Sequence, residues 1–253
     1  MEPFIPQLSI VIPALDEAGR LPPNLDRIGA YLAANPEWRP AEVLVVDDGS
    51  TDGTAEAIRA VRLPEGIDLR VLIHPQNLGK GAAVRTGFAS TDGLWVLLTD
   101  ADLSAPIEEL PVLVSAAGPG VVAIGSRAVD RRLVETPQPW YRDLMGRTFN
   151  LAVRSLALGG LHDTQCGFKL FPGELARALA ANQRLDGFAF DVELLVLSRL
   201  WGYEIREVGV RWHHVEASRV LPVRHSIQMI RDLLRLRWWR ASRRLPVRTG
   251  ADR

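Results

Sequence analysis

Short apolar runs alternate with longer amphipathic segments along the first half of the chain. The runs are continuous rather than alternating, which is typical of strands buried on both faces of a parallel sheet. Strands are predicted at residues 8–12, 43–47, 69–73, 94–99 and 121–125, the first stopped by Pro13. Helices are predicted at residues 17–34, 50–61, 79–89 and 106–116, the second capped by Ser50 or Thr51. Strands separated by helices of this length form right-handed βαβ units, so we predict an α/β fold with a mainly parallel sheet.

The alternation loosens beyond residue 127. Helices are predicted at residues 140–158, 173–181 and 190–201, and strands at residues 168–171 and 204–212. From residue 227 onward, apolar residues at positions 227, 230, 234 and 238 fall on one side of a helix. Ten arginines and two aspartates between residues 219 and 253 make this end basic. The helix either packs its apolar stripe on the domain or lies on an anionic membrane through residues 227–240.

Composition excludes several classes of protein. The 253 residues carry 30 basic and 30 acidic side chains, so the overall charge of a nucleic-acid-binding protein is missing. The single cysteine, Cys166, excludes an internal disulfide framework and suits a reducing compartment. Neither a signal peptide nor a run of ~20 apolar residues is evident. We therefore expect a soluble or peripheral protein.

Paired acids follow two of the predicted strands: Asp47 and Asp48 after the second, and Asp100 and Asp102 after the fourth. Carboxyl ends of parallel strands meet at one edge of a sheet, where open α/β folds bind ligands. At ~4 Å and an effective dielectric of ~20, each like-charged pair costs roughly 4 kcal/mol. A hard divalent cation removes that cost and brings a diphosphate with it. The pattern predicts a metal-dependent site for a nucleotide diphosphate compound.

Lysine is rare in this chain. Only two of the 30 basic residues are lysines, Lys80 and Lys169, and both stand in loops that contain glycine. An ammonium is a compact point charge, whereas a guanidinium is a planar fork. The two positions are therefore candidates for sites that need a point charge.

Eight motifs in order resemble those of a known family. The motifs are IPALDE at residues 12–17, VDDGSTD at 46–52, NLGKG at 77–81, DAD at 100–102, GSR at 125–127, DTQCGFK at 163–169, FDVE at 190–193 and SR at 218–219. The first four resemble family 2 glycosyltransferases with the GT-A fold. Together with the last four, they are similar to the dolichyl-phosphate glucose and mannose synthases, the glucose type more closely. Ser104 stands where the mannose type has glutamine and Gly146 where it tends to have serine, and both departures weaken a mannose assignment.

The resemblance implies a role for each matching residue. Residues implied to bind the nucleotide sugar are Pro13, Glu17, Asp48, Lys80 and Asp100, with Asp48 facing the base. Asp102, with Asp100, is implied to hold the Mg²⁺ or Mn²⁺ that bridges the diphosphate. Residues implied to grip the donor and acceptor phosphates are Arg127, Arg142, Arg147, Gln165, Lys169, Ser218 and Arg219. The catalytic set is Asp191, near the sugar anomeric carbon, with Asp102 and Arg127.

The resemblance also implies an organisation and an activity. A GT-A domain is expected over residues 1–222, with a nucleotide-sugar half (1–127) and an acceptor half (128–222), followed by a basic helix and tail (223–253). The implied reaction is inverting transfer of a hexose, glucose from UDP-glucose, to a polyprenyl or dolichyl phosphate. The protein is expected in the cytoplasm, peripheral on the cytoplasmic face of a membrane. A lipid phosphate has a second pKa near ~6 and is already a nucleophile at pH 7, so Asp191 would orient the sugar rather than abstract a proton.

Other functions remain open. One alternative is a donor with another base or sugar, such as GDP-mannose, and another is a hydroxyl acceptor with Asp191 as general base. A dehydrogenase is disfavoured, because no Gly-x-Gly-x-x-Gly follows the first strand. A noncatalytic module that binds sugar nucleotides is a further alternative, although the retained acids argue against it.

Overall fold

Strands and helices alternate through the described part of this computed structural model, which comprises residues 5–136, 140–214 and 222–246. The strands are β1 (Leu8–Ala14), β2 (Ala41–Asp47), β3 (Ile67–Ile73), β4 (Trp95–Thr99), β5 (Val121–Ser126), β6 (Val134–Thr136), β7 (Phe168–Pro172), β8 (Glu204–Gly209) and β9 (Trp212–His213). The helices are α1 (Leu21–Ala34), α2 (Thr54–Ala60), α3 (Lys80–Ala89), α4 (Leu110–Ala116), α5 (Trp140–Leu156), α6 (Gly173–Asn182), α7 (Phe190–Leu200) and α8 (Pro222–Ala241).

Seven strands form one sheet in the order β3-β2-β1-β4-β7-β5-β8. All neighbouring pairs are parallel except those of β7, which runs antiparallel to both β4 and β5. The carboxyl ends of β1, β2, β4 and β5 therefore meet the amino end of β7 at one edge. This mostly parallel α/β architecture confirms the predicted fold class.

Helices cover both faces of the sheet, because successive strand residues point to opposite sides. Val43 and Val45 of β2 join the buried cluster beneath α1 and α4, whereas Leu44 joins the cluster beneath α3, α6 and α7. All three side chains are fully buried. Leu233 and Leu236 of α8 belong to the second cluster as well. The expected boundary at residue 222 therefore separates residues that pack in one hydrophobic cluster. The functional division into parts stays a prediction.

Several element boundaries differ from the predictions, and three of these differences have a clear structural description. Pro13 does not stop β1, because Ala14 still accepts a hydrogen bond from the N–H of Asp48, just after β2. Neighbouring residues of a strand point their backbone groups to opposite sides, so the nitrogen of Pro13 faces β4. The pairing of β1 with β4 has already ended at Val11, so the missing N–H of proline costs no hydrogen bond there. Neither Ser50 nor Thr51 caps α2, which begins at Thr54 behind Gly53. The predicted strand at residues 204–212 is two strands, β8 and β9.

Helix α8 has two apolar faces. Leu233 and Leu236 are buried against the domain. At about 100° per residue, the predicted stripe lies on the opposite side. Its members are half exposed: Ile227 52%, Ile230 49%, Leu234 52% and Trp238 51%. The alternative in which this stripe packs on the domain is wrong. Within the described ranges, no helix combines the length and apolarity needed to cross a bilayer.

Candidate active site

The loop after β1 is tied to the loop after β2 at the polar edge of the sheet. The backbone N–H of Asp16 donates to Ser50 Oγ (2.8 Å), and Asp16 Oδ1 accepts from the N–H of Thr51 (2.9 Å). Glu17 N–H donates to Thr54 Oγ1 (2.8 Å), and Asp52 accepts from Ala18 N–H and Thr54 N–H. These bonds explain why residues 50–53 stay outside α2. They also hold Asp16 at a left-handed φ of 54°.

Glu17, expected beside the nucleoside, is engaged by Arg20. Both carboxylate oxygens accept from the guanidinium, with Nε at 2.7 Å from Oε2, and the residue is buried. Glu17 raises the pKa of Arg20 by hydrogen bonding, and this outweighs the opposing effect of burial, with a further contribution from Asp102. Within the described residues, Arg20 Nη1 is buried without a hydrogen-bond partner. Arg20 is not among the predicted site residues, although its spacing of three residues from Glu17 is a signal for such a pair.

Asp48, expected to face the base, shapes the loop after β3. Its buried carboxylate accepts from the N–H groups of Leu78 (3.0 Å) and Gly79 (2.8 Å), and His74 Nδ1 lies 2.7 Å from Oδ1. Gly79 has a φ of 109°, and a Cβ there would lie 2.4 Å from the carbonyl oxygen of Asp186. Asp48 therefore holds a loop that only glycine fits.

The four acids do not meet as unpaired charges. Asp47 Oδ1 accepts from Ser50 N–H (2.9 Å), a contact typical of an aspartate in a turn. Asp100 Oδ1 lies 2.6 Å from the ammonium of Lys80, the first residue of α3. Asp102 Oδ1 accepts from Ser104 N–H (2.9 Å). Like-charge repulsion at this edge is thus relieved largely by protein groups, which the sequence analysis did not foresee.

Asp100 and Asp102 are the acids that suit a metal. Both are partly exposed, and the side chain of Asp100 is 31% exposed. The described residues contain no group of three or more His, Cys, Asp or Glu side chains that would form a complete cage. Mg²⁺ is usually bound by one or two carboxylates together with substrate phosphates and water. The pair fits a cation that arrives with a diphosphate.

Lys80 links this pair to Asp191. Burial lowers the pKa of Lys80, but the carboxylates of Asp100 and Asp191 outweigh it and raise the pKa. The ammonium also lies 6.0 Å from the ring centroid of Phe190, at the start of α7. The sheet thus brings together residues that are far apart in the sequence, from α3 to α7.

Arg127, at the end of β5, is held by Asp163. Nε and Nη2 donate to the two carboxylate oxygens (2.6 and 2.7 Å), and the backbone N–H donates as well (3.0 Å). Burial opposes the charge of each group, but each partner outweighs it: the pKa of Arg127 is raised and that of Asp163 is lowered. The guanidinium carbon lies 5.5 Å from the ring of Trp212. Asp163 is not among the predicted site residues, although it is the first residue of the DTQCGFK motif.

Lys169, expected at a phosphate, is fully buried. Its ammonium lies 2.5 Å from Asp191 Oδ1 and donates to the carbonyl oxygen of Cys166 (2.6 Å). Asp191 is buried too; burial raises the pKa of its carboxyl, while Lys169 and Lys80 oppose that rise. No surface of Lys169 is open to an acceptor phosphate in this arrangement. That expectation is therefore corrected: Lys169 contacts a carboxylate and a backbone carbonyl.

Of the remaining candidates, two lie within the described residues together with their side chains. Pro13 is buried in β1, and Gln165 is partly exposed in the loop before β7. Arg142 and Arg147 belong to α5, but their side chains lie outside the described residues, as do Ser218 and Arg219 altogether.

Comparison with known proteins points to one family. The family model "Glycosyl transferase family 2" matches residues 9–178. Dolichyl-phosphate beta-glucosyltransferase of Homo sapiens is 36% identical over 91% of this chain and 75% of its own length. An enzyme of the same name from Trichomonas vaginalis is 35% identical over 90% of this chain and 70% of its own length.

A solved structure supports the fold. Glucosyl-3-phosphoglycerate synthase from Mycobacterium tuberculosis, in complex with Mn²⁺, UDP-glucose and phosphoglyceric acid, superposes with a TM-score of 0.62. The alignment covers 97% of this chain and 82% of that chain at 21% identity, which confirms the GT-A-like fold. With the family match and the sequence relatives, it leads to one conclusion: the chain belongs to glycosyltransferase family 2.

Proposed function

We propose that this protein transfers glucose from UDP-glucose to the phosphate of a polyprenyl lipid such as dolichyl phosphate, with inversion at the anomeric carbon. The observation that carries the proposal is the 36% identity to a dolichyl-phosphate beta-glucosyltransferase over 91% of the chain, a stretch too long to lie in the nucleotide-sugar half alone. GDP-mannose as the donor is disfavoured, because the human and Trichomonas vaginalis relatives are both named glucosyltransferases.

The donor diphosphate is proposed to lie between α3 and the loop after β4. Lys80 and the N-terminal end of α3 supply positive charge on one side, since helix N-termini attract anions. Asp100 and Asp102 on the other side would hold a divalent cation, Mg²⁺ or Mn²⁺. When bound, that ion would neutralise the diphosphate as the nucleotide leaves. The complex of the mycobacterial neighbour with Mn²⁺ and UDP-glucose supports this arrangement by analogy of fold.

The acceptor phosphate is proposed to supply the nucleophile without a protein base. A phosphate monoester is largely ionised at pH 7, since its second pKa is near ~6. The carboxylate of Asp191 is engaged by the ammonium of Lys169 at 2.5 Å, which suits orientation of the sugar better than removal of a proton. A hydroxyl acceptor needs a general base, so the geometry favours the phosphate.

Arginines are proposed to hold the acceptor phosphate. Asp163 fixes the guanidinium of Arg127 through two nitrogens, and the side chain remains 29% exposed beside the loop that carries Gln165. Arg142, Arg147, Ser218 and Arg219 are proposed to complete this subsite. Planar guanidinium groups match phosphate oxygens in geometry as well as charge.

A lipid acceptor requires contact with a membrane, and α8 offers the surface for it. The exposed stripe of Ile227, Ile230, Leu234 and Trp238 is flanked by exposed arginines at 231, 235 and 237. An apolar face bordered by arginines is typical of helices that lie in an anionic membrane surface. The cytoplasmic face of the membrane is proposed as the location, because the single cysteine of the chain suits a reducing compartment.

Release of UDP tests the proposal. The purified chain with Mn²⁺ should release UDP from UDP-glucose only when a polyprenyl phosphate is added, and GDP-mannose should give far less product. Asp102→Asn should lower the rate by at least about tenfold, since it removes a proposed metal ligand, whereas Asp68→Asn, on the exposed part of β3, should not. Equal release with a polyprenol in place of its phosphate would contradict the proposal.

A further inference from the structure

Each lysine of the chain faces one carboxylate of the proposed active site. Lys80 lies 2.6 Å from Asp100 and keeps 28% of its side chain exposed. Lys169 lies 2.5 Å from Asp191 and has no exposed surface. The other 28 basic residues are arginines. The ammonium of Lys80 can therefore contact a ligand, whereas that of Lys169 contacts protein groups.

Lys169 sits on an interior strand of the sheet. It belongs to β7, where it pairs with Leu98 of β4 on one side and Ile124 of β5 on the other. Its side chain reaches the first turn of α7, where Asp191 lies. Burying an ion costs several kcal/mol unless a partner of good geometry compensates. Here one ammonium and one carboxylate are withdrawn from water together.

The ammonium also holds the loop between Asp163 and Gly167. It donates to the carbonyl oxygen of Cys166, one residue before Gly167. A Cβ at Gly167 would lie 2.1 Å from the carboxylate of Asp100, so this loop abuts the proposed metal ligand. At its other end Asp163 fixes Arg127. Lys169 thus connects Asp191 to the segment that supports Asp100 and Arg127.

We propose that Lys169 is a positioning residue: its buried ammonium fixes the carboxylate of Asp191 and locks the 163–167 loop, and it does not bind the acceptor phosphate. The proposal rests on the proposed function in placing Asp191 beside the donor sugar. It extends that function by explaining how a buried carboxylate is held in a fixed position by a buried ammonium.

The site selects lysine over arginine. A guanidinium is larger and planar, and it needs room for its fork, whereas the space around Lys169 is filled. The chain uses arginine almost everywhere else, so its use of lysine here matches a demand for a compact charge. Lys169→Arg is therefore expected to lower kcat, although it preserves the charge.

Three charged groups act electrostatically on Asp191: Lys169 from β7, which contacts it, Lys80 from α3 and Asp100 from the end of β4. Without Lys169, the burial that already raises the pKa of the Asp191 carboxyl would be opposed less. A carboxyl whose folded-state pKa exceeds its unfolded value destabilises the fold as the pH rises through the folded-state pKa. Lys169→Met should therefore lose stability progressively as the pH is raised.

A double-mutant cycle measured against pH tests the proposal. Thermal unfolding is recorded between about pH 5 and about pH 8 for the wild type, Lys169→Met, Asp191→Asn and the double variant. The Tm of Lys169→Met should fall relative to the double variant as the pH rises, because asparagine cannot ionise. A gap that stays constant with pH, or two losses that simply add, would overturn the proposal. This readout does not depend on sugar transfer, so it can fail independently of the proposed function.

Kinetics supply a second readout. With UDP-glucose and a polyprenyl phosphate, Lys169→Met should lower kcat by about tenfold or more, with little change in the KM of either substrate. Lys169→Arg should also have a lowered kcat. Arg59→Met, at a side chain that is 55% exposed, serves as the matched loss of a charge. A raised KM for the polyprenyl phosphate with kcat unchanged would assign Lys169 to the acceptor phosphate and refute the positioning role.

Discussion

Individual carboxylates at the polar edge are distinguished by their partners. Asp48 accepts two backbone N–H groups and a histidine, Asp100 faces Lys80, and Asp191 faces Lys169. Of these acids, Asp100 combines partial exposure with a position beside α3, and Asp102 is partly exposed next to it. The identity of a partner, rather than the presence of an acid, therefore decides which carboxylate is available to a ligand.

Asp191→Asn tests whether the carboxylate acts as a base. We expect measurable turnover with a polyprenyl phosphate, because the acceptor is already ionised and the amide keeps the size of the side chain. The variant leaves Lys169 buried without its anion, so folding is checked by circular dichroism and the assay is run well below Tm. Complete loss of turnover with donor binding intact would show that Asp191 removes a proton.

Glu193 should make stability depend on pH. Burial raises the pKa of its carboxyl to about 7, although the backbone N–H groups of Leu185 and Arg184 oppose the rise. The folded state then binds the proton more tightly than the unfolded state, so stability falls as the pH rises from the unfolded pKa toward 7, by on the order of 3 kcal/mol.

Thermal unfolding of Glu193→Gln measures this effect. The variant should lose most of the decline in Tm across that window, since glutamine does not ionise. Glu56→Gln, whose side chain is 76% exposed, should unfold like the wild type at every pH. An undiminished decline in Glu193→Gln would assign the pH dependence to other groups.

At the scale of elements, the loop before β7 and the end of β4 are fitted to each other. Gly167→Ala would bring a Cβ to 2.1 Å from the Asp100 carboxylate, and the loop or the carboxylate must move. We expect the affinity for UDP-glucose in the presence of Mn²⁺ to fall by about tenfold or more, because the proposed metal ligand is displaced. Calorimetric titration measures it.

Gly19→Ala is the matched control for that loop. A Cβ at Gly19 meets nothing within 4 Å, so the same chemical change there should leave affinity unaltered. Equal affinities for all three proteins would mean that Asp100 does not contribute to donor binding.

Helix α8 is an element with opposite apolar faces, and its outer face should bind lipid. Replacing Ile230, Leu234 and Trp238 with serine should abolish co-sedimentation with vesicles that contain phosphatidylserine, since the arginines alone bind weakly. The control replaces three other half-exposed apolar residues, Ile73, Leu94 and Val129, with serine. Equal binding of the two triple variants would remove α8 from the membrane contact.

For the whole molecule, local sequence pattern predicts the layers but not the pairing of charges. Continuous runs such as Val43 to Val46 identify buried strands, and the acids that follow them mark the polar edge. The position of β7 between β4 and β5 depends on contacts between distant segments, which no local pattern encodes. The hydrogen-bond partners of Asp48 and Lys169 depend on that long-range packing. The sequence alone therefore does not reveal that these two side chains contact protein groups.

Strand β7 and helix α8 join the two parts of the chain into one fold. The loops of the proposed site come from both of the proposed halves of the chain, because β7 lies between β4 and β5 in the sheet. Helix α8 then closes one face of the same core and presents its other side outward. The proposed donor, acceptor and lipid-binding surfaces thus lie around one seven-stranded sheet with a hydrophobic cluster on each face.

Direct observation of the glycolipid tests the central claim. The wild-type chain is incubated with radiolabelled UDP-glucose, a polyprenyl phosphate and Mn²⁺, and the label is followed into the organic phase. We predict a β-linked glucosyl phosphate lipid whose formation stops when the cation is chelated and resumes when it is restored. A labelled product formed equally well under exhaustive chelation, or no lipid product from a folded chain that binds UDP-glucose, would contradict the account.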